Sequence, residues 1–212
     1  MIEYIVPGNI DDRILSKTAG LLQKGGTVAL PTDTSWSVVC SINSKEGIKR
    51  LRALSKERDE RHFTLLCSDI SQFGDFCSLD NTRFRLIKRL APGPYVFILK
   101  TLLGTEKILG LRRSEIGVRL PDYSVPLALI GALGCPLYGI TAKRNMITDD
   151  FDDFDFYREE TLFDGGWELE EIRGLDLILD PGEDRNRIFS TVLDLSSGEV
   201  QVLRQGAGHW PV

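Results

Sequence analysis

Short runs rich in β-branched residues alternate with amphipathic helical stretches through the first two thirds of the chain. That order limits the fold more than any other feature. In "NIDDRILSKTAGLLQKGG", Ile14, Leu15, Thr18, Ala19 and Leu22 fall at helical spacing; Asn9 or Asp11 can cap the helix and Gly25–Gly26 can stop it. "TVAL" and "SWSVVCSI" read as buried strands. A helix capped by Ser44 follows over "SKEGIKRLRALSKER", then a strand at "FTLLC" and a helix over "NTRFRLIKRL" that ends at "APGP". "YVFILK" and "EIGVRL" read as strands, "VPLALIGAL" as a short helix and "PLYGIT" as a strand. "LDLIL", "STVLDL" and "EVQVLR" follow as strands without helices between them, which predicts an antiparallel or mixed part at the C-terminal end. The fold class expected is therefore α/β, a single twisted open mixed sheet with flanking helices, as one domain over 1–212.

"TDDFDDFDFYREETLFDGG" breaks the pattern. It is acidic, aromatic and aperiodic, and reads as a surface insertion or lid at about 147–166. The net charge of −5 conceals an uneven distribution: residues 1–119 carry 19 Lys and Arg against 13 Asp and Glu, and residues 120–212 carry 7 against 18. A basic N-terminal part fits an anionic ligand, nucleotide or RNA, and fits solvated helix faces equally well. The N-terminus "MIEYIVPGNIDDR" lacks a basic segment followed by an apolar one, and no apolar run is long enough to span a bilayer, so neither a signal peptide nor a membrane span is expected. Cys40, Cys67, Cys77 and Cys135 form no CxxC pair and read as reduced core residues of a cytoplasmic protein.

Common catalytic motifs are missing from the chain. It has no GxxxxGK[ST], GxGxxG or GxSxG, and with only two histidines it has no zinc-ligand spacing. Four segments remain. "PTDTS" places three hydroxyls and a carboxylate between two strands, which makes either a plain turn or a ligand site at a strand end. "LSKERDERHF" brings Lys56, Arg58 and His62 to a helix C-terminus, where basic residues are also simple dipole partners. "YGITAKRN" ends a strand with Thr141, Lys143 and Arg144, a setting for phosphate. "FSTVLDLSSGEVQVLRQGAG" opens with Ser190 and Thr191 and puts Arg204 before a Gly-x-Gly.

In this order, "KGGTVALPTDTSWSVVC", "KER…HFTLL", "APGPYVFIL", "IGVRLP", "LDLILDPGE…STVLDL" and "VLRQGAG" resemble the YrdC/YciO family, and more closely its YciO-like branch. The resemblance spans about Asp11 to Gly208. It implies a YrdC-like sheet with a concave, basic face. It also implies a threonylcarbamoyl-AMP synthase-like activity: L-threonine, bicarbonate and ATP, with Mg²⁺ on the phosphates, give threonylcarbamoyl-AMP and pyrophosphate for tRNA modification. By similarity Pro31, Thr32, Asp33 and Thr34, with His62 and Arg119, bind substrate. Lys56 and Arg58 neutralise the triphosphate as catalytic residues. Thr141, Lys143, Ser190, Thr191 and Arg204 lie on the nucleotide side.

Two departures stand out. The family's Tyr-Gly after the PTDT block is Trp36–Ser37, with Trp36 expected to enlarge a pocket wall. Lys143 stands where the S-x-N block carries a neutral amide, a change expected to favour more anionic ligands. They motivate the alternative of a divergent protein that binds nucleotide or RNA, including double-stranded RNA or tRNA, with weak or no synthase activity. The acidic segment 149–160 is expected to close over the basic face.

Overall fold

The computed structural model describes residues 1–57, 60–148 and 158–210. In chain order the elements are β1 (Ile2–Tyr4), α1 (Asp12–Gln23), β2 (Val28–Pro31), β3 (Trp36–Ser41), α2 (Lys45–Ser55), β4 (Thr64–Leu66), α3 (Ser71–Phe76) and α4 (Asn81–Leu90). They continue with β5 (Tyr95–Lys100), α5 (Thr105–Leu109), β6 (Glu115–Arg119), α6 (Ser124–Leu133), β7 (Leu137–Thr141), β8 (Leu177–Asp180), β9 (Thr191–Asp194) and β10 (Gln201–Arg204).

All ten strands form one open sheet in the order β1-β8-β2-β3-β7-β4-β6-β5-β9-β10. It is mixed. β1 with β8, β8 with β2, β4 with β6, and β5 with β9 run parallel; the remaining neighbours run antiparallel.

The helix starts follow side-chain chemistry. Asp11 Oδ1 accepts from Arg13 N (2.8 Å), Ser44 Oγ from Gly47 N (3.1 Å) and Asp80 Oδ1 from Arg83 N (2.8 Å), each satisfying a backbone donor that the helix leaves unpaired. α2 stops at Ser55, the first residue of the "SKER" expected to continue it. Ser55 Oγ donates to Arg52 O (2.9 Å) and accepts from Glu57 N (3.2 Å), and Lys56 turns left-handed with φ 53°.

The strand period of two divides the molecule. On one face Val38, Cys40, Leu65, Phe97, Val118 and Tyr138 pack with Leu51 of α2, Phe73 of α3, Ile87 of α4 and Leu109 of α5. Each such side chain, fully buried, contributes roughly 1.5–3 kcal/mol. On the other face α1 and α6 cover only part of the sheet: Leu22, Leu129 and Ile130 pack on Val28, Leu30, Val39 and Leu137. The rest of that face, across β4 to β7 and β9, has no helix over it among the described residues and forms the floor of a pocket.

The four cysteines are free. Burial pushes the Cys40 and Cys77 thiols up to about 12, which keeps them as unreactive core groups. No helix among the described residues is long and apolar enough to cross a membrane. Residues 149–157 of the acidic segment, with most of its carboxylates, lie outside the described residues. On its far side Leu162 pairs with Lys143 in an isolated bridge, and Phe163 is fully buried.

Candidate functional site

Residues that face outward from β3, β4, β5, β7 and β9 meet in a pocket of about 310 Å³. Its floor is flat because two strand positions lack side chains. A Cβ at Gly139 would meet Val39 Cγ1 at 2.7 Å, and one at Gly117 would meet Val96 Cγ1 at 3.0 Å. Val96, Ile98, Ile140 and Val192 are among the apolar residues of the lining. Ser37, His62, Arg119, Lys143, Ser190 and Arg204, with the hydroxyls of Thr64 and Thr141, supply its polar groups. No carboxylate lines it among the described residues, so the pocket is cationic.

Arg119 holds the site together. It ends β6, is 5 % exposed, and reaches two other segments of the chain. Nη2 donates to Asp33 Oδ1 (2.6 Å); Nη1 donates to Thr34 Oγ1 (3.1 Å) and Ser190 Oγ (2.6 Å). Burial lowers its pKa and the Asp33 carboxylate opposes that shift. Asp33 and Thr34 sit in the four-residue connection from β2 to β3. Thr32 Oγ1 closes that turn by donating to Ser35 O (2.7 Å) and accepting from Thr34 N (3.2 Å) and Ser35 N (3.3 Å). Arg185 anchors it from outside through Thr32 O (2.8 Å), with its guanidinium 4.5 Å from the Tyr123 ring centroid. Asp33 Oδ2 and Arg119 Nε are buried with no hydrogen-bond partner among the described residues, which leaves one acceptor and one donor unsatisfied beside the pocket.

Arg204 lies across the pocket, its guanidinium 4.7 Å from the Phe189 ring centroid and its Nε donating to Ser190 O (2.9 Å). Lys143 is 3 % exposed; burial, and to a lesser degree the nearby Arg204, pull its amine down to about 7 against the pull of Glu57. His62 Nδ1 lies 2.7 Å from Glu57 Oε2 at the rim.

Of the residues singled out in the sequence, the structure brings His62, Arg119, Thr141, Lys143, Ser190 and Arg204 into one lining. Thr32, Asp33 and Thr34 stand directly behind it through Arg119. Pro31 is the last residue of β2, paired with Trp36. Thr191 points away: its hydroxyl donates to Gly208 O (2.6 Å) and accepts from Gly206 N (2.9 Å), so it fastens the Gly-x-Gly turn instead of lining the pocket. Lys56 is exposed and lines a separate hollow with Arg50, Arg173 and Glu170, because the helix ends before it. Arg58 lies outside the described residues. The expectation that Trp36 enlarges a pocket wall is not met. Strand alternation turns Trp36 into the core on the opposite face, where Nε1 donates to Asp164 O (3.1 Å), and puts Ser37 in the lining. Thr64, Phe189 and Arg185 were not among the candidates; the first is legible as an inward position of β4, while nothing in "PGEDRNRIF" marks Arg185.

The Gly-x-Gly turn is tight. A Cβ on Gly206 would lie 2.2 Å from Phe189 O and 2.6 Å from Ser190 C, both backbone atoms that cannot move aside. Gly206→Ala is expected to push the turn off β9, loosen Arg204 and destabilise the fold by about 2–4 kcal/mol in urea unfolding. Wild-type stability in that variant would show that the turn does not pack as described.

A family model named for Sua5, YciO and YrdC, described as "Telomere recombination", matches residues 20–153. The chain belongs to the Sua5/YciO/YrdC family. It is 32 % identical over 206 residues to the Escherichia coli protein named "Uncharacterized protein YciO", covering 97 % of this chain and 95 % of that one. The crystal structure of E. coli YciO superposes with a TM-score of 0.83 at 29 % identity, covering 99 % of this chain and 97 % of that one. More distantly, the mouse threonylcarbamoyl-AMP synthase is 25 % identical over 191 residues, 87 % of this chain and 64 % of that protein. P. abyssi Sua5, whose structure is complexed with L-threonine, has the same fold with a TM-score of 0.80 at 20 % identity, over 97 % of this chain and 57 % of that one. The Sua5/YciO/YrdC sheet thus carries the pocket, and the threonylcarbamoyl-AMP synthases are distant relatives.

Proposed function

We propose that the protein is a threonylcarbamoyl-AMP synthase, joining L-threonine, bicarbonate and ATP into threonylcarbamoyl-AMP and pyrophosphate for tRNA modification. One observation carries this reading: a cationic pocket without a lining carboxylate among the described residues adjoins a buried Arg119–Asp33 pair that has one donor and one acceptor to spare. The spare Arg119 Nε suits the carboxylate of an amino acid and the spare Asp33 Oδ2 its amino group. Lys143 and Arg204 suit phosphate charge. Threonine's amine combines with bicarbonate, losing water, to give a carbamate. A carbamate oxygen then attacks the α-phosphorus of ATP, and pyrophosphate leaves with the bonding electron pair. No protein nucleophile enters this scheme. The chain's share is to position the two substrates and neutralise the charge that builds on the phosphates. The lining offers Mg²⁺ no carboxylate, and no group of three metal-binding side chains occurs among the described residues, so no step is drawn through a protein-held metal.

The test is pyrophosphate release by purified protein given ATP, bicarbonate and threonine. Release that depends on threonine is expected, and release independent of threonine, or none, would sink the reading.

A second reading is favoured by Lys143, Ser37 and the distant placement of Lys56: a nucleotide- or RNA-binding protein of this fold without synthase activity. It predicts affinity for double-stranded RNA or tRNA that falls steeply with salt, as counterions displaced by phosphate contacts are released. Undetectable or salt-independent binding speaks against it.

A further inference from the structure

Two arginines tie the Thr32–Ser35 turn to its neighbours. Three connections meet beside it: residues 32–35 between β2 and β3, residues 120–123 between β6 and α6, and residues 181–190 between β8 and β9. Arg119, which leads into the second connection, reaches the first through Asp33 and Thr34 and the third through Ser190. Arg185 works from the third connection and reaches the other two. Its Nη2 donates to Thr32 O (2.8 Å) and its Nη1 to Tyr123 Oη (3.2 Å), with the guanidinium 4.5 Å from the Tyr123 ring centroid. The backbone of Arg185 is held as well: its N–H donates to Asp164 O (2.8 Å), the same carbonyl that accepts from Trp36 Nε1 in the core. Arg185 is half-buried and is not part of the pocket lining.

We propose that Arg185 is a positioning residue for the amino-acid substrate: by holding the Thr32 carbonyl it fixes the Thr32–Asp33 peptide, and with it the direction in which Asp33 faces Arg119 and the pocket. The inference deepens the synthase reading and rests on its placing the amino acid at Asp33 and Arg119.

The physical argument starts from the planarity of the peptide unit. Thr32 O and Asp33 N belong to one rigid plane, so the bond that fixes the carbonyl also fixes where the chain enters Asp33. Thr32 is fully buried, and its N–H and Oγ1 both donate to Ser35 O, which closes the turn from inside. Its carbonyl points the other way and needs a donor of its own. Arg185 supplies a charge-assisted one. Without it the carbonyl turns towards water, and the plane carries Asp33 with it, against the pull of the Arg119 pair. The planar guanidinium serves Thr32 O and Tyr123 Oη at once; an ammonium on a flexible stem does not reproduce that fork. In the synthase reading the phosphates meet Lys143, after β7, and Arg204, on β10. The loss of Arg185 should therefore fall on one substrate only.

Pyrophosphate release is measured with threonine varied at saturating ATP, and with ATP varied at saturating threonine. Arg185→Met is expected to raise the threonine KM by about ten- to a hundredfold and to leave kcat and the ATP KM within about threefold of wild type. Arg185→Lys is expected to fall between the two. Tyr123→Phe keeps the ring beside the guanidinium and loses only the acceptor, with an expected rise of about two- to threefold in the threonine KM. Arg187→Met is the control. It removes the ion pair of Arg187 Nε with Asp164 Oδ1 (3.0 Å) on the same connection and is expected to change neither KM. An unchanged threonine KM in Arg185→Met overturns the proposal. So does an equal rise in both KM values, which marks a role in the fold alone, and so does the same rise in Arg187→Met. If Arg185→Met does not fold, Arg185→Lys and Tyr123→Phe decide: a raised threonine KM at an unchanged ATP KM supports the proposal, and no change in either overturns it. If the wild-type protein binds threonine in calorimetry but releases no pyrophosphate, the synthase reading falls alone, and the same ratios are read as dissociation constants. If the wild-type protein binds no threonine, both fall.

Discussion

Arg119→Met is expected to destabilise the protein by about 3–5 kcal/mol and to abolish ligand binding in the pocket. The substitution keeps much of the side-chain volume, so the loss is electrostatic. Asp33 would be left charged, with its side chain 12 % exposed, without the guanidinium 2.6 Å away that compensates it. Thr34 and Ser190 would lose the donor that joins them. Three pieces of chain meet at Arg119: the β2–β3 turn, the end of β6 and the residue preceding β9. Losing it should free the turn as well as weaken the global fold. Urea unfolding gives the stability and hydrogen exchange at Thr34 and Ser35 gives the turn. The double variant Arg119→Met/Asp33→Asn is expected to recover part of the loss, since it removes the stranded charge. A loss below about 1 kcal/mol in the single variant would mean that the ion pair is solvated and does not organise the site.

The frame of this molecule is legible where a local pattern decides the outcome. The helix ending before Gly25–Gly26, the Ser44 cap and the alternation in "YVFILK" all correspond to observed elements, because capping and side-chain period act within a few residues. β1 is invisible for the opposite reason: its three residues become a strand only by pairing with β8, far along the chain. α3 contains a glycine and α5 has five residues between Gly104 and Gly110, too short for a periodic signal. The site divides in the same way. Thr141, Lys143, Ser190 and Arg204 can be placed because strand ends can be placed. The hub role of Arg119 depends on β6 lying near both the β2–β3 turn and Ser190, and the sheet order that produces this is a global property. Trp36 shows how narrow the margin is. One step of strand register separates a pocket wall from a core residue, and "DTSWS" does not reveal which of its two last residues turns inward.

Lys143→Met is expected to make the free protein more stable at neutral pH, by about 3 kcal/mol, and the gain should shrink as pH rises. The sign follows from proton counting. The ordinary lysine value is 10.5 and the folded value is about 7, so between these the unfolded chain binds one proton more than the folded one. Stability of the wild-type protein therefore rises with pH through that window, and the full penalty is present at and below about pH 7. At about 1.4 kcal/mol per pH unit the displacement corresponds to roughly 5 kcal/mol, which relaxation and water entry reduce. Methionine has no such penalty, so its advantage should be largest near pH 7 and fall below about 1 kcal/mol near pH 10. Urea unfolding of both proteins at the two pH values measures this directly, and an advantage of equal size at both would show that the lysine is not held neutral.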